Sequence, residues 1–199
     1  MTAHHENLVE ARRQAIQEEI DASWSGIERN RFGQFATPND LAVEIVRYVA
    51  TLLDRKRDGI RFADPSIGSG SFFSAVLNVF GRDRISSAVG IELDPVFCDA
   101  ARDLWADAGL ELICGDFTSI VASPSRPRAP NLILANPPYV RHHHLKREYK
   151  ERLQALTRHM TGIEVSGLAG LYVYFLLLAT AWMEEGGLRH GLSLRSSWM

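Results

Sequence analysis

Cysteine is almost missing from this chain of 199 residues; only Cys98 and Cys114 occur. Two thiols exclude a disulfide-scaffolded miniprotein and a four-thiolate zinc site, and a reducing, cytoplasmic setting is expected. An excess of one charge is missing too: Lys+Arg 22 against Asp+Glu 24 leaves a net charge of -2. That is not the balance of a protein that coats nucleic acid, although one local basic face stays open to it. The polar start MTAHHENLVEARRQ holds no apolar signal core, so secretion is not expected. The one long apolar run, Leu168 to Met183, falls short of a membrane span and ends in Glu184-Glu185. It reads as a helix buried against a sheet, and no membrane partner is expected. The dinucleotide pattern G-x-G-x-x-G is absent as well, since only Gly68 and Gly70 stand in the glycine-rich stretch.

What is present suffices for a packed core: 46% hydrophobic and 23% charged residues. Glu6 to Asp21, with Val9, Ile16 and Ile20 among charges, reads as an amphipathic helix. Thr37-Pro38 followed by Asp40 reads as a helix start, with Thr37 as the cap. An alternation follows. Strands are expected at 60–63, 86–92, 110–113 and 131–135, and helices at 71–80, 95–108, 145–159 and 171–184. Alternation of this kind, with apolar strands, predicts an α/β fold: a doubly wound, mostly parallel sheet with helices on both faces. Ligands of such sheets sit at the carboxyl ends of the strands, so the loops after Ala63, Ile91, Ile113 and Ala135 carry the functional reading.

The first loop is Asp64-Pro65-Ser-Ile-Gly68-Ser-Gly70-Ser-Phe72. Its glycines permit a tight turn and close approach to a ligand, and Asp64 stands where it could accept from an ammonium group. A plain strand–helix turn explains the same residues equally well. The second loop offers Glu92, placed to take both hydroxyls of a ribose, while Asp94 before Pro95 reads as a helix cap. In the third, Asp116 could accept from an adenine amino group and Phe117 could pack on its ring; a turn acid and a core aromatic remain the alternative. The fourth is Asn136-Pro137-Pro138-Tyr139. Two prolines fix two φ angles and remove two donors, which leaves a rigid edge of acceptors, the Asn136 side-chain oxygen and the Pro137 carbonyl. With the Tyr139 ring beside them, these suit a planar substrate carrying an NH2 group.

In order, GQFATP, DPSIGSGSF, GIELDP, CGDF and NPPY resemble the S-adenosylmethionine-dependent adenine-N6 DNA methyltransferases of the gamma motif order, of restriction–modification type. The resemblance covers about residues 31–187 and implies a Rossmann-like class I methyltransferase fold. It implies that the Phe35-Ala-Thr37-Pro38 loop closes over the methionine end of the cofactor. Asp64 and the Gly68/Gly70 turn would hold its amino and carboxylate groups, with Pro65 and Phe72 also at the cofactor, Glu92 would take its ribose, and Asp116 with Phe117 its adenine. Asn136, Pro137, Pro138 and Tyr139 would form the catalytic edge that holds a flipped adenine of DNA, and Asn136 would also contact the cofactor. Methylation of a protein glutamine or an RNA guanine, by families that also use NPPY, is the alternative, as is an inactive cofactor-binding remnant.

The expected organisation is a helical segment at 1–30, a methyltransferase domain at 31–187 and an aberrant tail at 188–199. Beyond Gly187 the family continues with an apolar strand, but here serines and arginines stand instead, so the C-terminal strands are expected to be incomplete. A reading-frame slip near Gly187 is one account, since a shifted frame over His190 to Met199 can encode a Val-Pro-containing strand; a short natural end is another. The motif order places target recognition on the C-terminal side, in a domain or subunit beyond this chain. Weak or no methylation by the chain alone is therefore expected. His142-His143-His144 lacks a carboxylate-rich partner set, so no metal is expected there. Arg141, Lys146, Arg147, Lys150 and Arg152 could face a DNA backbone or simply form a solvated, charge-paired helix. Trp182, Tyr172 and Tyr174 read as core, and Cys98 and Cys114 as small buried fillers.

Overall fold

A computed structural model describes residues 3–23, 36–53, 59–121, 129–183 and 188–189. Its helices are α1 (Ala3–Ser23), α2 (Asn39–Leu52), α3 (Ser71–Phe80), α4 (Pro95–Trp105), α5 (Phe117–Ile120), α6 (Arg147–Thr161) and α7 (Leu171–Trp182). Its strands are β1 (Ile60–Asp64), β2 (Ile85–Glu92), β3 (Leu110–Cys114), β4 (Leu132–Ile133) and β5 (Leu188–Arg189). The sheet order is β3-β2-β1-β4-β5, and every pairing is parallel. This is the doubly wound architecture that the strand–helix alternation predicts.

Period-two alternation along the strands divides the interior into two layers. Phe62, Ala88 and Leu132 face one side, under Val46 and Val49 of α2, Phe73 and Val76 of α3, and Trp105 of α4. Their neighbours Ala63, Val89 and Ile133 face the other, under Phe117, Leu153 of α6 and Tyr174, Leu178 and Trp182 of α7. The run Leu168–Met183 thus holds the buried helix expected of it, and no helix among the described residues is long and apolar enough to cross a membrane.

Three local differences have physical causes. Pro38, not Thr37, is the N-cap of α2, and no side chain caps it; Thr37 is turned away, toward Asn136. Asp94, by contrast, caps α4 by accepting from the Val96 amide at 2.8 Å. Strand β4 spans two residues rather than five. Single bonds to β1 extend past its ladder, from the Asn131 amide to Arg61 and from the Leu134 amide to Ala63. The Asn131 side chain also replaces ladder bonds, accepting from the Arg61 amide at 2.8 Å and donating to the Gly59 carbonyl at 3.1 Å. A two-residue β5 pairs beside β4 just past Gly187, where a polar tail was expected. The tail at 190–199 lies outside the described residues, as do Phe35 and most of the loop at 123–130.

The order reverses between β1 and β4: the chain runs outward through β2 and β3, then returns to the far side of β1. Such a switch point opens a crevice beyond the strand ends. The loops after β1 and β4, which hold Pro65–Gly70 and Asn136–Tyr139, form its two lips.

Candidate active site

A cavity of about 220 Å³ occupies this crevice. Of the residues singled out in sequence, Pro65, Gly68, Glu92, Asp116, Phe117, Asn136 and Pro138 line it. Asp64, Gly70, Phe72, Thr37, Pro137 and Tyr139 are not wall residues.

The two glycines serve different ends. Gly68, at φ +55°, has open space where a Cβ would point, and it forms part of the wall. Gly70, at φ +94°, lies against the Trp105 indole, whose Nε1 donates to the Ser69 carbonyl at 2.9 Å. A side chain at Gly70 would strike that ring, so packing alone requires glycine here. Phe72 is likewise a core residue, 2% exposed under the sheet.

Glu92 ties the wall together. Its Oε2 accepts from the Gly68 amide and its Oε1 from the Asp94 amide, both at 2.8 Å. The carboxylate at the end of β2 therefore fastens the loop after β1 to its own loop. Burial raises its pKa, the Asp94 charge adds to this, and the two amides oppose it. Asp64 lies beneath, 1% exposed, accepting from the Ser66 amide at 3.0 Å. Burial pushes its carboxyl up to about 8, with the nearby Glu92 charge contributing in the same direction.

Asp116 caps α5 through the Thr118 amide at 2.8 Å and pairs with Arg152 of α6 at 3.0 Å. Arg152 also lies 5.0 Å from the Tyr149 ring centroid, and Tyr149 lines the cavity. The charged helix thus commits one of its exposed cations to Asp116 beside the cavity, and Arg147 pairs along the helix with Glu151. Phe117 is 1% exposed, with Phe175 and Trp182 at 5.2 and 5.6 Å between ring centroids.

On the opposite lip, the Asn136 amide nitrogen donates to Thr37 Oγ1 at 3.2 Å, and Ser66 Oγ donates to the Asn136 carbonyl at 3.1 Å. Thr37 thereby fixes which end of the carboxamide faces which way, a function that helix-cap chemistry did not suggest. Pro137 is buried and Tyr139 half-buried. The Tyr139 ring stands 6.0 Å from that of Tyr172. Tyr174 and Trp182 are core, but Tyr172 is 37% exposed and belongs to this lip.

Sequence reasoning missed Ser66, Phe97 and Tyr149, and above all Gln17, Ile20 and Asp21 of α1, all of which line the cavity. Among the described lining residues three are carboxylates, Asp21, Glu92 and Asp116, and none is Lys or Arg. The reading of the cysteines as small buried fillers holds for Cys98, 1% exposed, and is corrected for Cys114. Helix α4 packs along β3, so buried Cys98 meets exposed Cys114 with Cα atoms 5.9 Å apart, and the two sulfurs are bonded.

No protein-family model matches the chain. Over 152 residues, 74% of the chain, it is 30% identical to the type II methyltransferase M.XamI of Xanthomonas campestris pv. amaranthicola. The match spans 27% of the length of that protein. Among solved structures, the fold is similar to one assigned to the class I S-adenosylmethionine-dependent methyltransferases, from Listeria monocytogenes (TM-score 0.64, 17% identity, covering 90% of this chain and 50% of that one). It is also similar to the methyltransferase subunit of a type I restriction-modification system from Streptococcus thermophilus (TM-score 0.59, 18% identity, 78% and 34%). A third is the type IIG restriction endonuclease BpuSI (TM-score 0.62, 17% identity, 78% and 19%). The fold is the Rossmann-like one of the class I methyltransferases.

Proposed function

We propose that this chain carries the catalytic cleft of an S-adenosylmethionine-dependent methyltransferase of restriction–modification type, acting on the N6 amino group of adenine in DNA. The observation that carries the reading is one continuous cavity whose wall includes Glu92 and Asp116 on one lip and Asn136 and Pro138 on the other. A carboxylate-bearing wall with no Lys or Arg among the described lining residues fits a cationic nucleoside rich in donors. It does not fit a pyrophosphate, because the Gly68 amide that would cradle one is already given to Glu92. The likeness to M.XamI supports the same class of reaction.

S-adenosylmethionine, when bound, supplies an electrophilic methyl group whose bond to sulfur breaks as a bond to the amino nitrogen forms. Glu92 accepts the ribose hydroxyls, and Asp116 with Phe117 bounds the adenine. Asn136 and the Pro137 carbonyl accept the two amino hydrogens of the target base, which draws the nitrogen lone pair out of the ring, and Tyr139 stacks on that ring. Thr37 holds the Asn136 carboxamide in the required orientation. No strong base is required, since the proton leaves to water after the nitrogen has attacked. Positioning supplies much of the rate.

The test begins with calorimetry of the chain against S-adenosylmethionine, S-adenosylhomocysteine and NAD. Binding of the first two and not the third is expected. Single-turnover transfer of labelled methyl to a single-stranded, adenine-containing oligonucleotide then removes the need for base flipping and target recognition. Label in N6-methyladenine supports the proposal. Label in RNA guanine or a glutamine peptide, with none in DNA, overturns the substrate; cofactor binding without transfer to any of the three points to a remnant.

A further inference from the structure

Helix α1 carries Glu10, Arg13, Gln17 and Asp21 at spacings of three and four, which places them on one stripe. In sequence these residues are among the polar positions of an amphipathic helix, yet Arg13 is 2% exposed. Its Nη1 donates to the hydroxyls of Ser69 and Ser71 at 3.0 and 2.9 Å, in the glycine-rich loop and the first turn of α3. Its Nε and Nη2 donate to Glu10 at 2.8 and 2.7 Å. Ser74 Oγ donates to the same Glu10 carboxylate. The buried cation is thus paired with a carboxylate and held by four hydrogen bonds, which is the condition for keeping one inside. From Ser69 the bonds continue: Ser69 Oγ donates to Gln17 Oε1 at 2.8 Å, and Gln17 Nε2 donates to Asp21 Oδ1 at 3.0 Å. Both ends of the Gln17 carboxamide are therefore committed in a fixed sense, and Gln17 and Asp21 both line the cavity.

We infer that α1 forms one wall of the cofactor site: Asp21 accepts a hydrogen bond from a donor group of the bound cationic nucleoside, and Gln17 and Arg13 position it from the glycine-rich loop. The inference rests on the cofactor reading above and assigns it a further binding residue. Asp21 adds a third carboxylate to the wall, on an element separate from the loops that carry Glu92 and Asp116. Gln17 acts through Asp21, so its removal should cost little once Asp21 is neutralised.

The experiment is a double-mutant cycle on the full chain with S-adenosylmethionine as the probe, using Asp21→Asn, Gln17→Ala and the pair. Asp21→Asn keeps an acceptor for Gln17 but removes the charge, and it should weaken binding about tenfold. Gln17→Ala should weaken it less, and the pair no more than Asp21→Asn alone, because the two losses are one loss. Asp21→Asn binding within twofold of wild type, or strictly additive losses, overturns the inference while leaving the cofactor reading intact. Wild type that binds no S-adenosylmethionine takes down both. Hydrogen exchange on the wild-type chain covers the event that a variant fails to fold: amides of residues 13–21 should exchange more slowly with the cofactor present, and unchanged exchange there overturns the inference.

Discussion

The two lips of the cleft are held by opposite means. On the cofactor side main-chain amides donate, to two buried carboxylates and two carbonyls. Gly68 and Asp94 donate to Glu92, Ser66 donates to Asp64, and the Ile67 and Gly115 amides reach the carbonyls of Ile91 and Glu92. On the substrate side the fastenings are side chains, Thr37 and Ser66 reaching Asn136, with two prolines stiffening the turn. The cofactor lip gathers its amides on two carboxylates and two carbonyls, so it is exposed to substitution chiefly at Glu92 and Asp64, whereas each substrate-lip fastening vanishes with the one side chain that makes it. The cofactor lip should therefore change as a unit, and the substrate lip should fail residue by residue.

The largest effect expected is that of Asn136→Ala. Single-turnover methyl transfer should fall by about 10²–10³-fold, while cofactor affinity changes less than about threefold. Collapse of cofactor binding in that variant would erase the distinction between the lips. Next come the two glycines. Gly70→Ala meets both a left-handed φ and the Trp105 ring, and should destabilise the fold by about 2–3 kcal/mol in chemical denaturation. Gly68→Ala meets open space and should cost about 1 kcal/mol, so that its main loss is in cofactor affinity. Equal destabilisation by the two would contradict the separate functions given to them.

A smaller effect follows from Asp64. Its ordinary value near 3.8 rises to about 8 on folding, so the folded state binds the extra proton. That contribution is fully present below pH 3.8 and is lost as pH rises toward about 8, and Glu92, raised in the same direction, adds to the trend. Thermal melts of Asp64→Asn from pH 5 to 9 should show a flatter profile than wild type, by a few degrees across the range. A steeper profile would sink the assignment. The smallest effect is expected of Arg152→Gln, since its bridge to Asp116 is partly open to water. Stability should move by less than about 1 kcal/mol and cofactor affinity by less than about threefold.

Much of this was legible in the chain. The alternation from Ile60 to Ala135 specified the parallel sheet, and the four strand-end loops specified the crevice. Glu92, Asp116, Phe117 and Asn136 could be picked out because each follows a strand end, a place fixed by topology. The tasks of Thr37 and Gly70 were not legible. Each is decided by a partner far along the chain, Asn136 for Thr37 and Trp105 for Gly70, and no local propensity encodes that. The polar stripe of α1 was missed for a related reason. A buried arginine and a solvated one have the same sequence signature, and only the serines of the glycine-rich loop distinguish them.

The double acceptance by Glu92 also limits what mutation can do to this protein. Two amides from two loops meet on one carboxylate, one on each oxygen. Glutamine could satisfy only one of them and would turn a donor toward the other; an apolar residue would satisfy neither. A library of variants at this position should therefore be sparse.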